Sequence, residues 1–77
     1  MYYTYVLLCQ EGKHYIGFTE NLIKRIKDHN EGRVPSTVNR RPLKLVYYEV
    51  CLNKYKALAR EKYFKTGFGR RFLKMRI

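Results

Sequence analysis

Glu61 stands where an apolar residue is due. Ala57, Leu58, Glu61 and Phe64 follow the i, i+1, i+4, i+7 spacing of a buried helical stripe. A carboxylate in that row is expected to be paired or bound to a metal, because an isolated buried one is costly. Lys65, four residues on, offers the ordinary pairing in the favoured orientation, worth roughly a few tenths of a kcal/mol at a surface. Arg25 and His29 also stand four apart and share a helix face beside Leu22 and Ile26. Arg25 can snorkel, and a cationic His29 can complete a helix end, where the dipole favours positive charge. Tyr2, Tyr3, Tyr5 and Tyr15 crowd one short region, where packing and cross-strand pairing account for most tyrosines. Gly17, directly after Tyr15 and Ile16, weakens a strand and marks close approach of a ligand or another backbone. Glu61 alone asks for a metal or a partner by its position; the other residues acquire a chemical role only in combination.

The elements that must position them are few, because 77 residues is one small domain, 1–77, with no room for a second. Tyr2 to Leu8 and His14 to Phe18 are apolar and aromatic runs separated by Cys9-Gln10-Glu11-Gly12-Lys13, which predicts a β-hairpin. Thr19 is placed to cap a helix over residues 20–31, with Glu20 in its first turn, Leu22, Ile23 and Ile26 as its stripe and Gly32 as its left-handed stop. Residues 33–42 hold two prolines and no periodicity and predict a loop. Leu43 to Val50 predicts a third strand, with Leu43, Leu45 and Tyr47 alternating against Lys44, Val46 and Tyr48. Asn53 is placed to cap a second helix running to about Thr66, with Gly67 beyond it and a short third helix from Arg70. The order β-β-α-β-α-α excludes an all-parallel sheet. The fold class is therefore α+β, a small three-stranded antiparallel or mixed sheet flanked by helices.

Charge divides the chain. Residues 1–38 carry five Lys and Arg against four acids, whereas residues 39–77 carry twelve against Glu49 and Glu61. A formal net charge of +11 is a self-repulsion that calls for a polyanionic partner, nucleic acid first. Hydrophobic residues make up 45% of the chain and aromatics 16%, too apolar for a disordered basic tail. Cys9 and Cys51 have no paired metal-ligand spacing and suit a reduced pair packed as small hydrophobes; with His14 and His29 they fit no common zinc arrangement. No apolar run approaches a membrane span and the start has no signal-peptide pattern, so a cytoplasmic protein is expected.

In this order the residues resemble the GIY-YIG nuclease family, in particular the small single-domain branch related to the incision module of excinuclease repair proteins. The resemblance covers nearly the whole chain. Tyr15-Ile16-Gly17 is literally the second motif, and Phe18 to Gly32 is similar to the family's helix, with its arginine at Arg25 and a histidine one turn later at His29. Tyr3-Thr4-Tyr5 stands where the first motif has Gly-Ile-Tyr, and Tyr5 matches its tyrosine. Ala57 to Lys62 looks like the later helix whose glutamate, here Glu61, binds the metal. The asparagine that the family often places after this glutamate has no counterpart between Glu61 and Ile77.

The resemblance implies a metal-dependent endonuclease acting on DNA phosphodiester bonds. Glu61 would hold one Mg²⁺ (or Mn²⁺), since a lone carboxylate with several waters suits Mg²⁺. Arg25 would clamp the scissile phosphate with its planar fork. Tyr5 or Tyr15 would act as base or relay for the water while the other orients it, and His29 would bind phosphate or tune Tyr5. A tyrosine near its ordinary pKa of about 10 is a poor base at neutral pH, so the role requires a depression of roughly three units. The grip on DNA would come from the second half, with Arg40, Arg41, Lys62, Lys65, Arg70 and Arg71 as candidate contacts. Nothing resembles a base-reading motif, so backbone or structure recognition is expected. The main rival is a non-catalytic module that keeps the nuclease fold and binds DNA or RNA; a second is a small basic subunit that docks on a ribosome or repair protein. A monomer or weak dimer, targeted by a protein partner, completes the expectation.

Overall fold

The β-branched and aromatic run at the N-terminus becomes the centre of the sheet. In the computed structural model, which describes residues 1–77, β1 (Tyr2–Leu8) is paired on both sides, with β2 (His14–Thr19) and with β3 (Lys44–Cys51), in the order β2-β1-β3. Both pairings are antiparallel, which settles the choice between antiparallel and mixed. The hairpin turn closes with Cys9 N–H donating to the Lys13 carbonyl at 2.8 Å and Gly12 N–H to the Cys9 carbonyl at 2.9 Å. Gly12 takes φ of 91°, a left-handed value that glycine adopts without steric cost. The register sets Tyr5 opposite Gly17 and Val6 opposite Ile16.

Each face of the sheet is packed by a different layer. Tyr5, Leu7, Cys9 and Leu43 form one buried cluster, joined by Tyr15, Leu45 and the two inward residues Leu22 and Ile26 of α1 (Leu22–Asn30). Val6, Ile16, Phe64 and Leu73 form the other, joined by Val46, Tyr47, Tyr63 and Phe72, under α2 (Lys54–Phe64) and α3 (Gly67–Lys74). A bulge between Val6 and Leu7 changes the parity of β3. Simple alternation puts Leu45 and Tyr47 on one face; the extra residue instead sends Leu45 to the α1 side and Tyr47 to the α2 side. Thr4 fastens the second layer, its hydroxyl donating to the Ala57 carbonyl at 2.7 Å.

Several boundaries differ from those expected. α1 starts at Leu22 under Asn21, whose side chain accepts from Lys24 N–H at 3.1 Å. Thr19 is still a strand residue, and Glu20 precedes the helix. Asn21 wins because it can bond the third residue on while Thr19 remains paired opposite Tyr3. Ile23 is outward and 84% exposed, since the sheet-facing line of this helix runs through positions 22, 25, 26 and 29. Gly32 does end the helix, at φ of 80°. The loop that follows contains a short 3₁₀ turn at Val38–Arg40 and buries Val34, Thr37 and Leu43. Asn53 caps α2 as expected, but Gly67 is the first residue of α3 and not a stop: Thr66 caps that helix by accepting from Gly69 N–H at 3.2 Å.

Candidate active site

Tyr5, Tyr15, Arg25, His29 and Thr37 meet on the α1 side of the β1–β2 pair. Gly17 supplies the room. A β-carbon at that position would collide with Cζ and Oη of Tyr5, whose ring crosses the neighbouring strand there. The close approach signalled by this glycine is therefore made by a side chain of the same protein. Tyr5 is fully buried, and its hydroxyl oxygen lies 2.7 Å from Nε2 of His29. Arg25, one turn earlier on α1, donates from Nε to the same oxygen at 3.3 Å. Nδ1 of His29 lies 2.7 Å from Oγ1 of Thr37, itself fully buried. Tyr15, adjacent on the sheet, sets its ring edge-on to His29 at 5.2 Å, and its hydroxyl receives only a bond from exposed Ser36 at 3.3 Å.

These contacts fix what each group can do. Burial pushes the Tyr5 phenol above its ordinary value of 10, opposed by the hydrogen bond and charge of Arg25. The shift required of a catalytic base is in the other direction. Burial, then the Arg25 charge, lowers His29 to about 4, so it is neutral at physiological pH. A cationic His29 supporting the helix end is thereby replaced by a neutral imidazole inside the core. Both ring nitrogens are engaged and the ring is enclosed, which leaves it nothing to offer a phosphate. Arg25 is different: its terminal nitrogens make no hydrogen bond or ion pair within the protein.

Glu61 stands on α2, in the opposite layer, and makes no direct contact with the tyrosines, Arg25 or His29; its charge acts on Tyr5 only as a minor, long-range contribution. Its side chain is 24% exposed, and its only ionic partner is Lys65 at 3.6 Å. The other acid of the second half is committed: Glu49 accepts two bonds from Arg60, at 2.9 and 2.7 Å, and one from the Tyr47 hydroxyl at 2.9 Å. Arg60 in turn lies over the rings of Tyr63, Phe64 and Phe72. Glu49 is structural, and Glu61 keeps its lone pairs available. No group of three or more metal-ligating His, Cys, Asp or Glu side chains exists. Glu61 is thus the one carboxylate that could hold a divalent ion here, and such an ion would have to complete its shell from water and phosphate.

The candidate nucleic-acid contacts divide. Arg40, Lys65 and Arg70 line a common groove of about 790 Å³ beside β2, with Lys13 and Lys74 on its rim and Ile16, Phe64 and Leu73 in its floor. Arg40 is bound there to Glu11 at 2.7 Å. Lys62 and Arg71 are exposed outside the groove lining. Arg41 is turned to the other loop, donating to the Val38 carbonyl and packing on Gly32. Thr37 is the functional candidate that spacing does not reveal: it lies in an aperiodic loop, eight residues beyond the histidine it meets.

A family model described as the GIY-YIG catalytic domain matches residues 1–74. A UPF0213 protein of Clostridium perfringens is 48% identical over 66 residues, covering 84% of this chain and 71% of that protein. One from Staphylococcus haemolyticus is 39% identical over 75 residues, covering 96% and 92%. The solution NMR structure of a UPF0213 protein from Bacillus halodurans matches with a TM-score of 0.59 at 31% identity, over 95% of this chain and 82% of that one.

Proposed function

This chain belongs to the GIY-YIG family, and we propose that it is a metal-dependent endonuclease that hydrolyses DNA phosphodiester bonds. The observation that carries the reading is Arg25. Its Nε is spent on Tyr5 and its two terminal nitrogens are free, which is the arrangement that presents a parallel pair of donors to a phosphate. In a half of the chain where acids nearly balance bases, Lys24, Lys27 and Arg33 are all in ion pairs, while Arg25 is not. A guanidinium held at a partly buried position without a carboxylate is set up for an anion from outside.

The remaining roles follow from access. Tyr5 keeps its proton and serves as the post that orients Arg25. Tyr15 is the tyrosine that relays the proton of the attacking water, accepting it as its own phenol proton passes on to solvent or a phosphate oxygen, because it is only partly buried, lightly bonded and within electrostatic reach of Arg25. The attacking oxygen bonds to phosphorus as the bond to the leaving sugar oxygen breaks, and Arg25 stabilises the charge that gathers on the phosphoryl oxygens. GIY-YIG nucleases generally use a divalent metal, and Glu61 would hold it; the ion would supply Lewis-acid polarisation of the phosphate. Lys65, Arg70 and Lys74 would carry the neighbouring phosphates along the groove.

A nicking assay on supercoiled plasmid with Mg²⁺, with EDTA, and with Arg25→Ala and Glu61→Ala tests this. Arg25→Ala is expected to lower nicking by about 10²- to 10³-fold, the cost of removing one transition-state donor. Glu61→Ala is expected to abolish the metal-dependent part, with DNA binding retained in both. Unchanged cleavage in either variant overturns the assignment, and a wild-type chain that binds DNA without ever nicking it establishes the binding-module reading instead.

A further inference from the structure

His29 has an oxygen 2.7 Å from each ring nitrogen and, as a neutral imidazole, one proton to place between them. Two arrangements exist. In the first, Nδ1–H donates to Thr37, the Thr37 hydroxyl donates to the Val34 carbonyl at 3.4 Å, and Tyr5 donates its phenol proton to Nε2. In the second, Thr37 donates to Nδ1 and Nε2–H donates to Tyr5. The Tyr5 oxygen would then accept from both His29 and Arg25 Nε–H, and its own proton would need a third partner. Tyr5 is fully buried and its hydroxyl has no other neighbour within hydrogen-bond distance, so the second arrangement strands a donor. The first satisfies every group.

We infer that Thr37 is a positioning residue of the site: by accepting the Nδ1 proton of His29 it holds the imidazole in one tautomer, commits the Tyr5 proton to Nε2 and turns a phenol lone pair toward Arg25. The hydrogen bonds then run one way, from Arg25 to Tyr5 to His29 to Thr37 to the Val34 carbonyl. Reversing the imidazole proton points the phenol proton toward the Arg25 side, where two donors face each other, and the guanidinium loses its post. The catalytic part of this inference rests on the nuclease reading above; the tautomer itself does not.

The test uses the full chain, isotopically labelled at histidine and free of metal. Two-bond nitrogen–proton spectra at neutral pH are expected to show His29 protonated at Nδ1 with Nε2 bare; Nε2–H as the main form overturns the proposal. Thr37→Val keeps the shape and removes the acceptor. It is expected to shift His29 toward Nε2–H and to lower plasmid-nicking kcat about 10- to 100-fold, the usual cost of losing an outer-shell partner, with duplex Kd unchanged. Thr37→Ser is expected to restore both the spectrum and the rate. Wild-type tautomer and rate in Thr37→Val would overturn the proposal, and if that variant does not fold, the wild-type spectrum and Thr37→Ser still decide it. Absence of nicking in wild type would overturn the nuclease reading while leaving the tautomer to be read from the spectrum.

Discussion

A histidine that refuses a proton is a liability in acid, and here its size is set by how deeply His29 is buried. Its pKa is held at about 4 against an ordinary 6.5. Between those values the unfolded chain takes up a proton that the native one does not, so stability falls as pH falls through the window and the loss is complete below about 4. The magnitude is on the order of 3 kcal/mol. Urea midpoints measured from pH 7 to pH 4 should therefore drop more steeply for wild type than for His29→Gln, which has nothing to protonate; parallel slopes would mean the ring is not the group at work. Spacing brought Glu61 into view on its own, and the resemblance to the GIY-YIG family added Tyr5, Tyr15, Arg25 and His29, whose motifs sit on periodic elements with a predictable face. Thr37 stayed hidden for the converse reason. It comes from a loop, where neither a 3.6 nor a 2 period says which way a side chain points.

At the scale of elements, the α2–α3 corner depends on a missing side chain. A β-carbon on Gly69 would collide with the Tyr63 carbonyl and press on the Cα of Phe64, atoms of the backbone that have no rotamer to retreat into. Gly69→Ala gains up to about 1 kcal/mol of helix propensity and loses roughly 1–3 kcal/mol to the collision, so net destabilisation is expected in urea unfolding, and a stabilised variant would contradict the packing. The same corner shows why part of the fold escapes sequence patterns. Gly67 reads as punctuation because glycine after a helix usually ends it, but here Thr66 restarts the chain at once and this glycine is simply helical. The strand bulge is a second such case: one additional residue in β3 moves Tyr47 to the far face, and nothing in the alternation of Leu43 to Tyr48 announces it. The hairpin, α1, β3 and the Asn53 cap were legible because each carries a local signal; the bulge and the corner arise from tertiary packing, where no local signal exists.

For the molecule as a whole, the +11 charge overstates or understates the grip depending on where it is counted. Glu11, Asp28, Glu31, Glu49 and Glu61 each hold a cation, and Arg40 and Arg60 are the two arginines of the second half most firmly engaged. Most of the exposed remainder lies on α2, α3 and the groove they share with β2, with Arg41 and Lys44 apart from it. If about five phosphates are met there, log K should fall with log salt at a slope near −4 to −5. Arg70→Ala should flatten that slope by about 1 while Arg60→Ala, which breaks a structural network, should lower stability instead. A binding constant indifferent to salt would remove the electrostatic account altogether.

The Tyr5–Gly17 contact has a meaning beyond its geometry. The glycine touches no phosphate and moves no proton; what it contributes is empty volume, shaped like a phenol, on the strand beside Tyr5. Residues 5 and 17 are thus one specification written in two places. A chain that filled position 17 would evict the ring, and one that kept the glycine but shortened residue 5 would carry an aromatic-sized hole at the foot of its arginine, a vacancy that a small free phenol could occupy. The tripeptide that names the motif is, in this protein, the mould of a side chain twelve residues earlier.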